Sequence, residues 1–439
     1  MRPRLFLAFL VLTVSAAIPA QGPTVEAQVA KITAKYRAGE VDDALKDAEA
    51  LLKSYPEEAD VLAWTGFLYL RTDQAAKGIP LLEKAAVKRP DNLEVLNNLG
   101  NAHLAVGNNV KAEERYLQVL KLDPKLAEAH YNLGTIRLQS KKFSEAVTSF
   151  SRASTLRPND AFAYNNLGVA YEGTKQFSQA ATAFARASDL RPENPLFSKN
   201  AGFAAIRVND IGTGLLYLMR ARKANKDDAD VAFALGETLV KAGRWKEARE
   251  VYEASGAQLQ ERAAYWFNLG VVRGKLGNVD GASKAYTRAL AIDPEDLDSL
   301  NNLGLIQFSK GQFRESATTF AKLSGLNPTS VNARLNLAAS YANLDEDAKA
   351  VEQWLAVLEA EPGRSNVRLD LANALWKLQR FDEAGAQYKQ ILRSTPTNAA
   401  ANNGYGLALL KSNKPKDAEL YFRNAIRANP KFALAYNNL

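Results

Sequence analysis

Residues 127–160, AEAHYNLGTIRLQSKKFSEAVTSFSRASTLRPND, hold two segments of helical periodicity and close on a proline. In the first, Leu133 is followed by Gly134. In the second, Ala146 and Phe150 stand four residues apart and so share one helical face. Pro158 has no amide hydrogen to give a helix interior, so it marks where the second helix has stopped and the chain turns. The same 34-residue pattern runs from Val25 to Phe432 as twelve consecutive blocks without an inserted or deleted residue. They are 25–58, 59–92, 93–126, 127–160, 161–194, 195–228, 229–262, 263–296, 297–330, 331–364, 365–398 and 399–432, followed at 433–439 by the start of a thirteenth.

Numbering positions within a block gives each residue an address. Position 32 is Pro56, Pro90, Pro124, Pro158 and Pro192, then, after two blocks without it, Pro294, Pro328, Pro362, Pro396 and Pro430. Position 8 is mostly glycine, as in Gly66, Gly100, Gly134, Gly168 and Gly270, which predicts a close approach of two helices. Position 20 is small in every block and position 24 is usually large, as in Tyr116, Phe184, Tyr286 and Trp354. Between the helices, position 15 is often Gly, Asp or Asn (Gly39, Asp73, Gly107, Asn209), types that tolerate the left-handed backbone ending a helix.

A large residue, Leu-Gly, Tyr, then Ala, Phe and Pro at a period of 34 resembles the tetratricopeptide-repeat family, and the resemblance covers Val25 to Phe432. It implies an all-α fold in which antiparallel helix pairs stack into a right-handed superhelical solenoid, with the first helix of each pair lining a concave groove. Each repeat then buries its apolar face on its neighbours, which explains how 439 residues form one array.

Arg2 and Arg4 precede an apolar run, Leu5 to Val14, and the small residues Ser15, Ala16 and Ala17 lead to Ala20. Residues 1–20 read as a cleaved signal peptide, with cleavage after Ala17 or Ala20, so the chain is expected to be exported, periplasmic or secreted. The run is too short for a permanent anchor, and no transmembrane segment is expected after signal removal. There is no cysteine, which excludes disulfides, a thiolate metal site, a cysteine nucleophile and a lipoprotein anchor. The formal charge of +8 is mild, and runs such as Arg244 to Glu250 mix both signs as solvated helix faces do. No nucleic-acid partner is expected.

Repeat 1 carries Gln28 and Lys31 where apolar residues belong, as a terminal cap requires. At the other end the sequence stops at Leu439, within a repeat. Either the natural chain continues or a partner covers the uncapped end, with self-association as one form of that. Repeats 6 and 7 depart most from the pattern: position 32 is Lys226 and Gln260, and Gly212, Gly214 and Gly256 lower helix propensity. A softer seam is expected there.

No catalytic residue, cofactor site or metal cluster emerges. His103 and His130 occupy positions 11 and 4, normal sites for packed aromatic residues. The one repeated polar signal is at position 6: Asn98, Asn132, Asn166, Asn200, Asn268, Asn302 and Asn336, with Asn438 in the partial repeat. Carboxamides donate and accept at once, which suits an extended peptide backbone, although they also suit neighbouring backbone groups. By resemblance, position 6 faces the groove. Position 9 (Phe203, Val271, Leu305) adds apolar patches there, and position 13 (Arg207, Lys241, Lys275) adds a basic edge. Position 2 is often acidic (Asp60, Glu94, Glu128), so the N-terminal part of the groove is electrostatically mixed. The clamp that some family members use for acidic C-termini needs Lys at position 5 and Asn at position 9, but Lys199 is followed by Phe203.

These features lead to a non-enzymatic, exported protein-interaction scaffold that holds an extended segment of a protein partner. Replacing Asn268, Asn302 and Asn336 by Ala is expected to weaken binding and leave melting nearly unchanged. Two alternatives stand beside it: the periplasmic repeat portion of an envelope or polysaccharide-export machine, and the repeat region of a larger enzyme truncated at its C-terminus.

Overall fold

The computed structural model describes residues 24–439; the signal-peptide segment at 1–20 lies outside the described residues. Among the described residues there are 26 helices and no strand. The first helix of a repeat takes positions 1–13 and the second positions 17–30, as in Ala127–Gln139 and Phe143–Leu156, then Ala161–Gly173 and Phe177–Leu190. The second helix stops two residues before Pro158, as the missing amide requires.

The helices gather into two compact units, one ending at Thr238 and the other beginning at Leu239. Within each unit the packing is sequential. Second helices lie against their own first helix and against the first helix of the next repeat, as Phe143–Leu156 does against Ala127–Gln139 and Ala161–Gly173, and some first helices of adjacent repeats touch, as Ala127–Gln139 and Ala161–Gly173 do. Position 20 forms the tightest layer: Ala112, Ala146 and Ala180 in the first unit and Ala282, Ala350 and Ala418 in the second are all 0% exposed. The close approach expected at position 8 is present. A methyl on Gly168 would lie 2.7 Å from the ring of Phe184, and one on Gly270 2.6 Å from that of Tyr286. Glycine at position 8 and an aromatic at position 24 are therefore one packing solution written at two sites.

Position 15 has positive φ in all twelve repeats. Five are glycines, from Gly39 to Gly311, and the rest are Asp73, Lys141, Lys175, Asn209, Asp345, Gln379 and Asn413. The turn geometry imposes this conformation on whatever side chain stands there, including the lysines and glutamine that do not favour it. Position 34 caps the following helix where its side chain allows. Asp160 Oδ1 accepts from the amides of Phe162 and Ala163, and Asn398 Oδ1 from that of Ala401. Leu126 and Arg364, at the same address, supply no such bond.

Repeats 6 and 7 behave differently from each other. Gly212 and Gly214 do not interrupt Ile211–Ala224, and Gly214 sits where a methyl would meet Ile206 Cγ1 at 3.0 Å. In repeat 7 the second helix ends at Ala254, and a separate four-residue turn runs Gly256–Leu259. Buried Ser255 stands at that break with its Oγ unpartnered.

Candidate ligand-binding face

The sequence placed the candidate face at positions 2, 6, 9 and 13 of the first helices. The asparagines at position 6 are largely withdrawn from solvent: Asn98 is 4% and Asn132 2% exposed, and Asn166, Asn200, Asn268, Asn302 and Asn336 are half-buried. Their donors point to the preceding repeat. Asn132 Nδ2 donates to Asn101 Oδ1 at 2.9 Å, Asn166 Nδ2 to Tyr131 Oη at 3.1 Å, and Asn200 Nδ2 to Asn165 Oδ1 at 2.9 Å. Asn165 Nδ2 in turn donates to Asn166 Oδ1 at 3.3 Å, so one chain of hydrogen bonds links three successive first helices. In the second unit Asn302 Nδ2 donates to Tyr286 Oη at 3.4 Å, and Asn438 Nδ2 to Asn403 Oδ1 at 2.9 Å.

The partner follows from position 24 of the preceding repeat. Where that residue is Phe150, Phe184 or Phe422, the carboxamide donates to position 5. Where it is tyrosine, the hydroxyl reaches this layer: Tyr116 Oη donates to Asn101 Oδ1 at 2.5 Å and Tyr286 Oη accepts from Asn302. Burial pushes the Tyr286 phenol up to about 12, so it stays a neutral hydroxyl. Through its donors the ladder thus ties repeat to repeat. The carboxamide oxygens of Asn132, Asn200 and Asn302 accept no hydrogen bond among the described residues.

Position 13 has a structural use that the sequence reading missed. Arg207 lies 4.9 Å over the Phe177 ring, Lys275 6.0 Å over Trp245 and Lys411 5.2 Å over Phe381. Lys377 Nζ is 3.4 Å from Asp347 Oδ1, a residue at the same address as those aromatics. Each pair is separated by 30 residues, joining position 13 to position 17 of the preceding repeat, and that fixed offset is the signal by which the sequence could have shown it. Arg207 also lies 3.5 Å from Glu172 Oε1. Lys241, at the end of its helix, is exposed. Of the position 9 residues, Phe203 (38% exposed) and Leu305 (44% exposed) stand open, whereas Val271 is half-buried against the Tyr286 cluster. Lys199 is held by Asp228 Oδ2 at 2.8 Å and Asp230 Oδ2 at 3.4 Å, its Nζ 5.9 Å over the Phe203 ring.

The histidines are packed. His103 is buried, its Nε2 3.8 Å from Glu83 Oε1, and burial lowers its pKa. His130 Nε2 lies 3.0 Å from the Pro124 carbonyl, and burial lowers it too. Among the described residues no group of histidine and carboxylate side chains could hold a metal, and no helix is long and apolar enough to cross a membrane.

Stacked helical hairpins at a fixed 34-residue period, with a polar ladder on their first helices, define a helical-repeat protein. The tetratricopeptide-repeat model matches residues 29–92, 97–161, 137–195, 301–365 and 369–439; related repeat models match 205–269 and 274–311. The chain belongs to the tetratricopeptide-repeat family. No curated relative matches it. Among solved structures it is similar to YrrB, described as a tetratricopeptide-repeat protein with an unusual peptide-binding site, at 22% identity and TM-score 0.40 over 43% of this chain and 97% of that one. It is also similar to MamA from Desulfovibrio magneticus RS-1, at 26% identity and TM-score 0.36 over 39% and 97% of the two chains. A third is the Naa15/Naa10 complex bound to HypK, at 16% identity and TM-score 0.38 over 90% and 67%.

Proposed function

We propose that this protein is a non-enzymatic, exported interaction scaffold whose first-helix faces hold an extended segment of a protein partner. The observation that carries the reading is the set of carboxamide oxygens at Asn132 and Asn200 in the first unit and Asn302 in the second. One N–H of each is bonded to the preceding repeat, which orients the oxygen to accept from a ligand's backbone amide. Phe203 and Leu305 add open apolar contacts beside these oxygens. Pre-ordering by inter-repeat bonds lowers the entropy lost when a ligand docks.

Selecting a displayed peptide library on the chain from residue 21 tests the reading. Peptides that bind should lose at least tenfold in affinity with Phe203→Ser or Leu305→Ser, and nothing with Val87→Ser, a residue 83% exposed on a second helix. Peptides indifferent to both face substitutions, or no peptide at all, would refute it. Export rests on residues 1–20 and has its own test. That segment should direct a fused reporter out of the cytoplasm and be removed on the way, and N-terminal sequencing should find the cut after Ala17 or Ala20.

A further inference from the structure

Between the first helices of repeats 2 and 3 (Ala59–Arg71 and Leu93–Ala105) lies a cavity of about 20 Å³. Its walls are Asp60, Trp64 and Phe67 from one helix and Glu94 and Asn98 from the other. These residues stand three and four apart on their helices and so share the face that the two helices turn to each other.

Two features mark it as fitted to a ligand. Glu94 is a half-buried carboxylate with no cation and no hydrogen bond among the described residues; burial first, and the charge of Asp60 second, hold its pKa above the usual value. Asp60 is already paired with Arg89, whose Nη2 lies 2.8 Å from Asp60 Oδ2, so the uncompensated charge of the crevice is that of Glu94. Asn98, only 4% exposed, lines the cavity and makes no side-chain hydrogen bond among the described residues, unlike Asn132, Asn166, Asn200 and Asn302 further along the ladder. A half-buried carboxylate without a cation is costly, and the Asn98 carboxamide opens on the same cavity with its acceptor unused. One ligand that donates to both satisfies both.

The walls narrow the choice. Trp64 and Phe67 meet edge to face at 5.6 Å, and Tyr36 closes the cluster 5.1 Å from Phe67. Aromatic faces attract cations and also pack on methylene. The cavity has room for about one water-sized group, which admits an ammonium on a thin stem and is too small for a guanidinium plane. An ammonium has three donors, and Glu94, Asp60 and Asn98 offer carboxylate and carboxamide oxygens to meet them. A free amino terminus would bring its carbonyl, one carbon behind the ammonium, to the cavity mouth, where a lysine brings only a chain of CH₂ groups.

We infer that the crevice between Asp60, Trp64, Phe67, Glu94 and Asn98 is a specificity pocket for a lysine side chain of the bound segment. The inference rests on the peptide-scaffold reading above and gives the occupant of its N-terminal part a charge opposite to the acidic one that position 13 suggested.

The test uses the chain from residue 21 labelled with ¹⁵N-tryptophan, the indole signal of Trp64 being assigned through Trp64→Phe. Titration with Nα-acetyl-lysine N-methylamide should shift that signal saturably, with the arginine analogue and glycine N-methylamide at least fivefold weaker. Glu94→Gln should weaken lysine binding at least fivefold, and because it removes a charge the fold disfavours, it should not impair folding. No saturable shift, or an undiminished one in Glu94→Gln, overturns the inference. Equal binding of the arginine analogue overturns the size argument, and tighter binding of glycine N-methylamide makes the site one for an amino terminus. If selected peptides depend on Phe203 and Leu305 while lysine leaves Trp64 unmoved, the pocket falls and the scaffold reading stands. If lysine binds and no peptide is selected, the reverse holds.

Discussion

Lys141, Lys175 and Gln379 stand at φ of 57°, 61° and 60°, where five other repeats have glycine with nothing within 4 Å of a would-be methyl. Space is not limiting there, so the strain lies in the backbone alone. Glycine relieves it and gives back part of the gain as unfolded-state entropy. Each of Lys141→Gly, Lys175→Gly and Gln379→Gly should therefore stabilise by about 0.5–1 kcal/mol in urea unfolding, and Gly277→Ala should destabilise by about 1 kcal/mol. The period located these positions in the sequence, yet their side chains hid the conformation, because repeat geometry overrides local preference. The asparagine ladder was legible in the same limited way. Its addresses follow from counting, but the direction of its N–H groups depends on whether position 24 behind it is Phe or Tyr, a packing relation across repeats. Replacing ladder residues by Ala consequently should not leave melting untouched. Asn132→Ala removes a buried donor from Asn101 and should cost about 1–2 kcal/mol.

At the level of the helix, the sequence marked where helices stop, because proline and the left-handed turn act locally, and it missed where tertiary contact decides. Glycine alone did not break repeat 6, since the close approach at Gly214 has a packing use, whereas in repeat 7 the second helix stops at Ser255 and restarts at Gly256. A four-residue turn has few internal hydrogen bonds, so amides of 256–260 should exchange faster than those at matching addresses in Val279–Ile292, while Ile211–Ala224 stays as protected as Phe177–Leu190. Equal protection in both irregular repeats would remove the expected seam. One helix start is also tied to charge. Asp228 Oδ1 caps the amide of Val231 at 3.0 Å and Oδ2 holds Lys199 at 2.8 Å. Burial pushes the Asp228 carboxyl up, but the Lys199 hydrogen bond, the Val231 amide and the lysine charge outweigh it and leave the pKa lowered. A carboxyl lowered by folding contributes stability above its unfolded pKa and loses it as pH falls through the folded one. Asp228→Asn should therefore reduce stability at neutral pH and flatten its decline in acid, as thermal melts between pH 7 and 2 would show.

At the scale of the molecule, side-chain hydrogen bonds that link repeats among the described residues reach to the neighbouring repeat, over 35 residues in Asn200 to Asn165, and helices pack on sequence neighbours. That is why a period read from one line of sequence foretold so much of the fold: the fold contains almost nothing longer than the period. It is also why the first-helix face was only half legible: the period gives Glu94 and Asn98 their addresses, positions 2 and 6, but not that Asp60 is paired with Arg89 while Glu94 has no cation among the described residues. A structure held by nearest neighbours should survive cutting between repeats. Residues 24–194 within the first unit and 263–432 within the second each keep five complete repeats, and each loses only interfaces at its cut ends. Both fragments should remain helical by circular dichroism and unfold cooperatively in urea, at lower midpoints than the whole chain and with slopes scaled to their length. The cut at 194 also removes Phe197, which packs edge to face on Phe162 at 5.3 Å, so 24–194 opens an apolar face and Phe162→Gln should reduce its self-association in sedimentation. A fragment without helical signal would show that coupling beyond adjacent repeats is needed to hold the fold.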